Sequence, residues 1–156
     1  MHFDFHILNN FLYYKFHLII SDLNIDRTEI INRCQEIPNV NVYENVSDMG
    51  RLMQSVDVSI SASGSTLYEL CATQTPTITY VIADNQIVGA EGFRRQGIMD
   101  CIGDIRKMEK DTGLSMLIES AVGLCSDYSK RQNIVTKMAA TIDGFGSQRI
   151  VEKLLK

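Results

Sequence analysis

The sequence predicts an α/β fold with a mostly parallel sheet. Short apolar runs rich in β-branched residues alternate with amphipathic segments along most of the 156 residues. The segments between them are short, and the two prolines each stand just before an apolar run. Alternation of this kind produces parallel strands joined by right-handed helical crossovers. The length suits a single domain, residues 1–156, with a sizeable core.

The predicted strands are the short apolar runs that turn residues bound on both sides. The run TITYVI, which follows Pro76, is the most strongly β-branched of them. The predicted strands span residues 16–20, 40–43, 56–61, 77–82 and 99–102. The predicted helices span residues 27–37, 48–54, 66–73, 85–96, 115–126, 128–140 and 146–156. In such sheets, ligands bind at the carboxyl ends of the strands.

The composition limits the classes of partner. A net charge of −4 provides no basic field to offset phosphate repulsion, so we expect no nucleic-acid or membrane-surface partner. No apolar run reaches the ~18 residues of a membrane span. The four cysteines are far apart and form no C-x-x-C pair, which predicts buried thiols in a reducing cytoplasm and no metal site. All three histidines fall within the first 17 residues, leaving the rest of the chain without one.

The stretch SASGSTLYEL, residues 61–70, is the most informative part of the chain. Ser63, Gly64, Ser65 and Thr66 follow a predicted buried strand and open a predicted helix. The first N–H groups of a helix lack internal partners and attract anions, and a glycine lets a ligand approach the backbone. The segment therefore indicates either a phosphate site or an ordinary turn with a helix cap.

Three further positions extend this hypothesis. Glu69 lies about one helical turn into the helix, where a carboxylate can accept bonds from two vicinal hydroxyls or simply face solvent. Asn85 and Gln86 follow the TITYVI strand, after Asp84, which can cap the next helix. Their amides would face the same crevice as residues 63–66. The backbone around Asn45 and Val46, after the VNVY strand, could bond to a flat base.

These residues resemble a known family. The run YENVSDMGRLMQSVDVSISASGSTLYELCATQTPTITYVIADNQ, residues 43–86, resembles the C-terminal nucleotide-binding half of glycosyltransferase-B enzymes of the family 28 type. Within them it is most similar to the UDP-sugar hydrolases of pseudaminic acid biosynthesis. The ending DGFGSQRIVEKL, residues 143–154, is also similar to that group. The resemblance implies a Rossmann-like three-layer sandwich and a UDP-sugar ligand.

The resemblance implies a role for each matching residue. Ser63, Gly64, Ser65 and Thr66 would hold the UDP phosphates, and Glu69 the ribose hydroxyls. Asn45 and Val46 would flank the uracil, while Asn85 and Gln86 would face the sugar or the second phosphate. No catalytic residue, metal or cofactor is implied within this chain.

The sequence also departs from the family pattern at its start. In the family this half begins with a mid-sheet strand and a glycine-rich loop, both missing here, and residues 6–14 resemble the helix that follows. The N-terminal domain, which carries the general base, is missing too; we expect it to be encoded upstream. Three functions therefore remain open: a UDP-sugar hydrolase half, the donor-binding half of a glycosyltransferase, and a truncated non-enzymatic remnant.

Overall fold

A computed structural model describes residues 12–155 of the chain. The chain divides into two compact units, Met1–Asp48 and Met49–Lys156. Each unit has its own parallel sheet. The histidines at positions 2 and 6, and most of the helix predicted over residues 6–14, fall outside the described residues.

The described part of the first unit, residues 12–48, is a two-stranded parallel sheet with one helix. Its elements are β1 (Phe16–Ile20), α1 (Arg27–Gln35) and β2 (Val40–Glu44). His17 of β1 and Tyr43 of β2 stack at 5.4 Å between ring centroids, and His17 Nδ1 lies 2.9 Å from the Tyr43 hydroxyl. Burial, together with the nearby Lys15 charge, lowers the pKa of His17, and the ring serves as a cross-strand packing group.

The second unit contains a three-stranded parallel sheet flanked by helices. Its strands are β3 (Ser59–Ala62), β4 (Thr77–Val81) and β5 (Asp100–Asp104). Its helices are α2 (Met49–Gln54), α3 (Thr66–Ala72), α4 (Ile87–Arg95), α5 (Lys110–Ser126), α6 (Tyr128–Thr141) and α7 (Gly146–Leu154). Short 3₁₀ turns, Asp84–Gln86 and Ile105–Lys107, directly follow the loop after β4 and the end of β5.

Strand β4 is the centre of the second unit. It pairs in parallel with β3 on one side and with β5 on the other. Four of its five residues are buried, so both faces of the strand are covered, as parallel sheets require. Helix α3 contacts β3 and α6, whereas α4 and α5 contact β4 and β5. This packing brings the carboxyl ends of the three strands, and the loops that follow them, to one edge of the sheet.

Most predicted elements are confirmed, and several boundaries differ; the largest difference is in α5, which begins at Lys110 and not at residue 115. The third strand begins at Ser59, not at residue 56. The N–H groups of Ser55 and Val56 donate to the carbonyls of Leu52 and Met53, so they finish the last turn of α2. The fifth strand begins one residue later than predicted and ends at Asp104, two residues beyond the predicted end.

The predicted fold class is confirmed: the chain is α/β, and every described strand pair is parallel. The described strands form two sheets, and β3 has a partner among them on one side only. Within residues 12–155, none of the helices combines the length and apolar character needed to cross a membrane.

A buried hydroxyl in β4 yields a stability prediction. Thr77 and Thr79 are both at most 1% exposed. Thr77 Oγ1 donates to the Thr75 carbonyl at 2.6 Å, whereas Thr79 Oγ1 has no partner among the described residues. Because an unpaired buried hydroxyl carries a desolvation cost, Thr79→Val should raise the free energy of unfolding by about 1 kcal/mol. Thr77→Val, the matched control, should lower it by about 1 kcal/mol. Urea denaturation of both variants measures this, and a loss of stability in Thr79→Val would contradict it.

Candidate functional site

The loop after β3 is fixed to the neighbouring strand by Ser63. Its N–H and its Oγ both donate to the Tyr80 carbonyl, at 2.9 and 3.0 Å. The side chain is buried, with 5% of the residue exposed. Both Ser63 donors are therefore engaged with the protein, and the hydroxyl proton predicted to meet a phosphate instead holds the carboxyl ends of β3 and β4 together.

Gly64 is not required by the fold. Its φ angle lies outside the left-handed region, so an L-residue could adopt its conformation. A Cβ built at this position would find one neighbour within 4 Å, the Gln86 amide nitrogen at 3.9 Å, which is ordinary van der Waals contact. Its N–H donates to the Ala62 carbonyl at 2.8 Å in a three-residue turn. A side chain at position 64 would occupy the open space in front of the loop.

Ser65 and Thr66 present the free donors of this loop. The carbonyls of Gly64 and Ser65 accept the N–H groups of Leu67 and Tyr68, at 3.2 and 3.0 Å. No described residue accepts the N–H groups or the hydroxyl protons of Ser65 and Thr66, and Ser65 makes no side-chain cap bond. The Ser65 hydroxyl therefore does not act as the helix cap, and four donors have no acceptor among the described residues.

Gln86 is brought next to this loop. Its Oε1 accepts the Ile82 N–H at 2.9 Å, which settles the orientation of the amide group. The Nε2 group lies 3.9 Å from the position that a Cβ at residue 64 would occupy, so the Gln86 amide is beside the loop at Gly64. The two loops that follow β3 and β4 thus face each other, as the sequence predicted for residues 63–66 and 86.

The other residues of the turn after β4 play different parts. Asp84 does not cap α4; its Oδ1 accepts from Arg106 Nη2 at 2.7 Å, so the helix-capping interpretation is wrong. Asn85 is exposed, and its side-chain amide has no partner among the described residues. An exposed amide one residue from Gln86 remains available to a ligand.

Glu69 lies in the first turn of α3 and is exposed. Its carbonyl accepts the Thr73 N–H and hydroxyl, each at 2.9 Å, and its carboxylate has no partner within residues 12–155. The adjacent Tyr68 packs edge-on against Phe93 of α4, with ring centroids 5.3 Å apart. This contact joins α3 to α4, and the Glu69 carboxylate remains free to accept hydrogen bonds.

Asn45 and Val46 belong to the first unit, just after β2. Asn45 has a left-handed backbone, with φ of 50°, a conformation that asparagine tolerates better than most residues. Its Nδ2 donates to Asp22 Oδ1 at 3.4 Å. The role of these two residues beside a base remains a prediction.

Arg106 is a charged residue at this edge that the sequence did not indicate. It lies two residues beyond β5, and its guanidinium donates to both carboxylate oxygens of Asp104, at 2.9 and 2.7 Å. The bonds from Arg106 lower the pKa of Asp104 to about 2, and the two carboxylates raise the pKa of Arg106. The sequence predicted that β5 ends at residue 102, which left Arg106 well beyond the strand. Because β5 ends at Asp104, Arg106 lies two residues after its strand, as Gly64 does after β3.

The arrangement favours binding of an anion that also carries hydroxyls. Backbone and side-chain donors come from Ser65, Thr66 and Gln86, and an unpaired carboxylate lies one helical turn away at Glu69. The second unit contains no histidine. The described residues contain no group of three or more His, Cys, Asp or Glu side chains placed to hold a metal ion.

The different uses of the two serines can be tested by stability. Ser63→Ala should lower the free energy of unfolding by about 1 kcal/mol, because it removes the buried bond to the Tyr80 carbonyl. Ser65→Ala removes an exposed hydroxyl without a partner among the described residues and should change it by less than about 0.5 kcal/mol. Thermal and urea unfolding of the pair provide the measurement. Equal effects of the two substitutions would show that the Ser63 bond contributes nothing.

Comparisons with known proteins were made by sequence and by structure. No model of a known protein family matches the chain. The pseudaminic acid cytidylyltransferase and UDP-2,4-diacetamido-2,4,6-trideoxy-beta-L-altropyranose hydrolase of Helicobacter pylori (strain ATCC 700392 / 26695) is 44% identical over 54 residues. These residues are 35% of this chain and 10% of that protein. The sequence similarity is therefore local.

The structural similarity extends over most of the chain. The crystal structure of the glycotransferase of kitacinnamycin superimposes with a TM-score of 0.56 at 18% sequence identity. The superposition covers 89% of this chain and 43% of that one, so the chain spans less than half of its structural neighbour. The chain therefore has a Rossmann-like α/β fold of the glycosyltransferase kind, and it corresponds in extent to part of such a protein.

Proposed function

We propose that this chain is a UDP-sugar-binding domain of a nucleotide-sugar hydrolase in pseudaminic-acid-type surface sugar biosynthesis. Two findings support the proposal: the local similarity to a pseudaminic acid pathway protein, and a fold of the glycosyltransferase kind. The geometry at the carboxyl ends of β3 and β4 suits such a ligand, because it combines free donors for a diphosphate with a carboxylate for hydroxyls.

Each part of the ligand has a corresponding group in this proposal. The diphosphate binds at the loop formed by residues 63–66, chiefly through the N–H and hydroxyl groups of Ser65 and Thr66. Glu69 accepts bonds from the ribose hydroxyls. Asn85 and Gln86 face the second phosphate or the sugar. A uracil-flanking role for Asn45 and Val46 of the first unit stays a prediction from the sequence.

The observation that carries the proposal is the glycine at position 64. Nothing in the backbone conformation or in the packing of the protein requires it. A diphosphate approaching the N–H groups of the loop does require it, because a Cβ would project into the space where the phosphate oxygens lie. The directed amide of Gln86 on the far side of that space is consistent with the same ligand.

The reaction of the whole protein would be attack of water on the nucleotide-activated sugar, with UDP as the leaving group. The loop donors would stabilise the charge that develops on the departing diphosphate. The second unit has no histidine to activate the water, and in this proposal the general base comes from outside this unit. The same donor site would serve a glycosyltransferase, and the likeness to a solved glycotransferase keeps that function as the second candidate.

Titration calorimetry of the chain with UDP tests the binding site. We expect UDP to bind in preference to adenosine nucleotides. Gly64→Ala and Glu69→Ala should each weaken UDP binding about tenfold or more, by obstruction and by loss of charge-assisted bonds respectively. Gly64→Ala should unfold at the same urea concentration as the parent, since its Cβ meets no close neighbour.

Glu119→Ala serves as the control, because Glu119 is an exposed glutamate on α5, far along the chain from the loop. It should leave UDP affinity within about twofold. A chain that binds no UDP, or binds it equally well with alanine at position 69, would overturn the proposed site.

The chain by itself should not turn over UDP-sugars. Incubation with UDP-sugars, followed by chromatographic detection of UDP, should give no release above the rate without protein, since the second unit offers no histidine as a base. Release that exceeds the background and is abolished by Gly64→Ala would show that the catalytic groups are present in this chain.

A further inference from the structure

Two carboxylates accept hydrogen bonds from Arg106 at the carboxyl edge of the sheet. Asp104 accepts several of these bonds and Asp84 accepts one. Asp104 receives two parallel bonds from Nε and Nη2 of the guanidinium and a third from the Arg106 N–H at 3.1 Å. The Asp104 side chain is 13% exposed and the Arg106 side chain 37%, and the pairing between them is bidentate. The Asp84 side chain is 88% exposed and receives a single bond. The second pairing is therefore the weak one.

The guanidinium also retains unused hydrogen-bonding capacity. Its Nη1 donors have no acceptor among residues 12–155, and the side chain is 37% exposed. Asp84 belongs to the same 3₁₀ turn as Gln86, whose amide faces Gly64. Arg106 therefore contacts the turn formed by residues 84–86, which lies beside the loop formed by residues 63–66. Its pairing with Asp104 holds it in that position.

The other cationic side chains in the same region pair with carboxylates other than Asp84. Arg94 and Arg95 both pair with Glu91 along α4, at 2.8 and 2.9 Å. Lys107 Nζ lies 3.7 Å from Asp104 Oδ2, and within residues 12–155 no ion pair joins it to Asp84. Arg106 is the cation that joins the ends of β4 and β5 in the described part of the second unit.

We propose that Arg106 binds the terminal phosphate of a nucleoside diphosphate by exchanging Asp84 for that phosphate. Asp104 keeps the guanidinium in place during the exchange, and the exposed Asp84 carboxylate is released to water. The site thereby prefers a nucleoside diphosphate to the monophosphate, which lacks the group that Arg106 meets. This inference rests on the proposed function and adds a residue to the same site.

Titration calorimetry with UDP and with UMP, at fixed salt, tests the exchange. Arg106→Gln should weaken UDP binding about tenfold and UMP binding less than twofold, since one charge-assisted contact is lost only for the diphosphate. Lys107→Gln is the matched control, because it removes the same charge from the adjacent residue; it should change both affinities by less than about twofold.

The Asp84→Asn variant separates ligand binding from a purely structural role. If Asp84 competes with phosphate for Arg106, Asp84→Asn should tighten UDP binding about threefold, and the gain should vanish in the Asp84→Asn, Arg106→Gln double variant. If the Asp84–Arg106 pair only braces the turn, Asp84→Asn should weaken UDP binding instead, which overturns the exchange. Circular dichroism and urea unfolding of each variant identify any loss of folding.

The outcomes also distinguish this inference from the function on which it rests. Equal UDP and UMP affinities in the parent chain, unchanged by Arg106→Gln, would refute the role of Arg106 and leave the nucleotide site intact. A parent chain that binds neither nucleotide would refute both.

Discussion

The carbonyl of Tyr80 is the point on which the candidate site depends. It accepts both the N–H and the hydroxyl of Ser63, so the end of β3 is joined to the end of β4 by two bonds to a single oxygen. Both groups are shielded from water, which makes the pairing costly to break. Because of it, the loop that carries Gly64 has a fixed position relative to the turn that carries Gln86.

Some hydrogen-bond donors of the loop bond to the protein itself, and others remain available to a ligand. Ser63 is used entirely for the fold, whereas Ser65 and Thr66 keep their N–H and hydroxyl donors free among the described residues. Sequence alone treats these neighbouring small polar residues as equivalent. Their different uses follow from burial, because Ser63 is buried, whereas Ser65 is exposed and Thr66 is half-buried.

Much of the fold follows from local patterns, and the rest from contacts distant in sequence. The strand β4 and the helix α3 are predictable because β-branched runs and apolar spacing are local signals. The use of Ser63 was not predictable, because its partner lies 17 residues away. Arg106 was missed because its significance depends on where β5 ends and on a contact with Asp84, 22 residues earlier. Residues 63, 64 and 86 were correctly expected to lie at one edge of the sheet, whereas their ligand remains a proposal.

The three-residue turn at Gly64 has a consequence for selectivity. Its N–H is already satisfied by the Ala62 carbonyl at 2.8 Å, so the loop needs no outside acceptor to be stable. A ligand that uses this N–H must displace a neutral carbonyl, and a neutral hydroxyl or a water molecule gains nothing by doing so. An ionised oxygen gains, because charge-assisted bonds are roughly twice as strong as neutral ones. Binding at the Gly64 N–H would therefore favour ligands with charged oxygens over ligands with neutral ones.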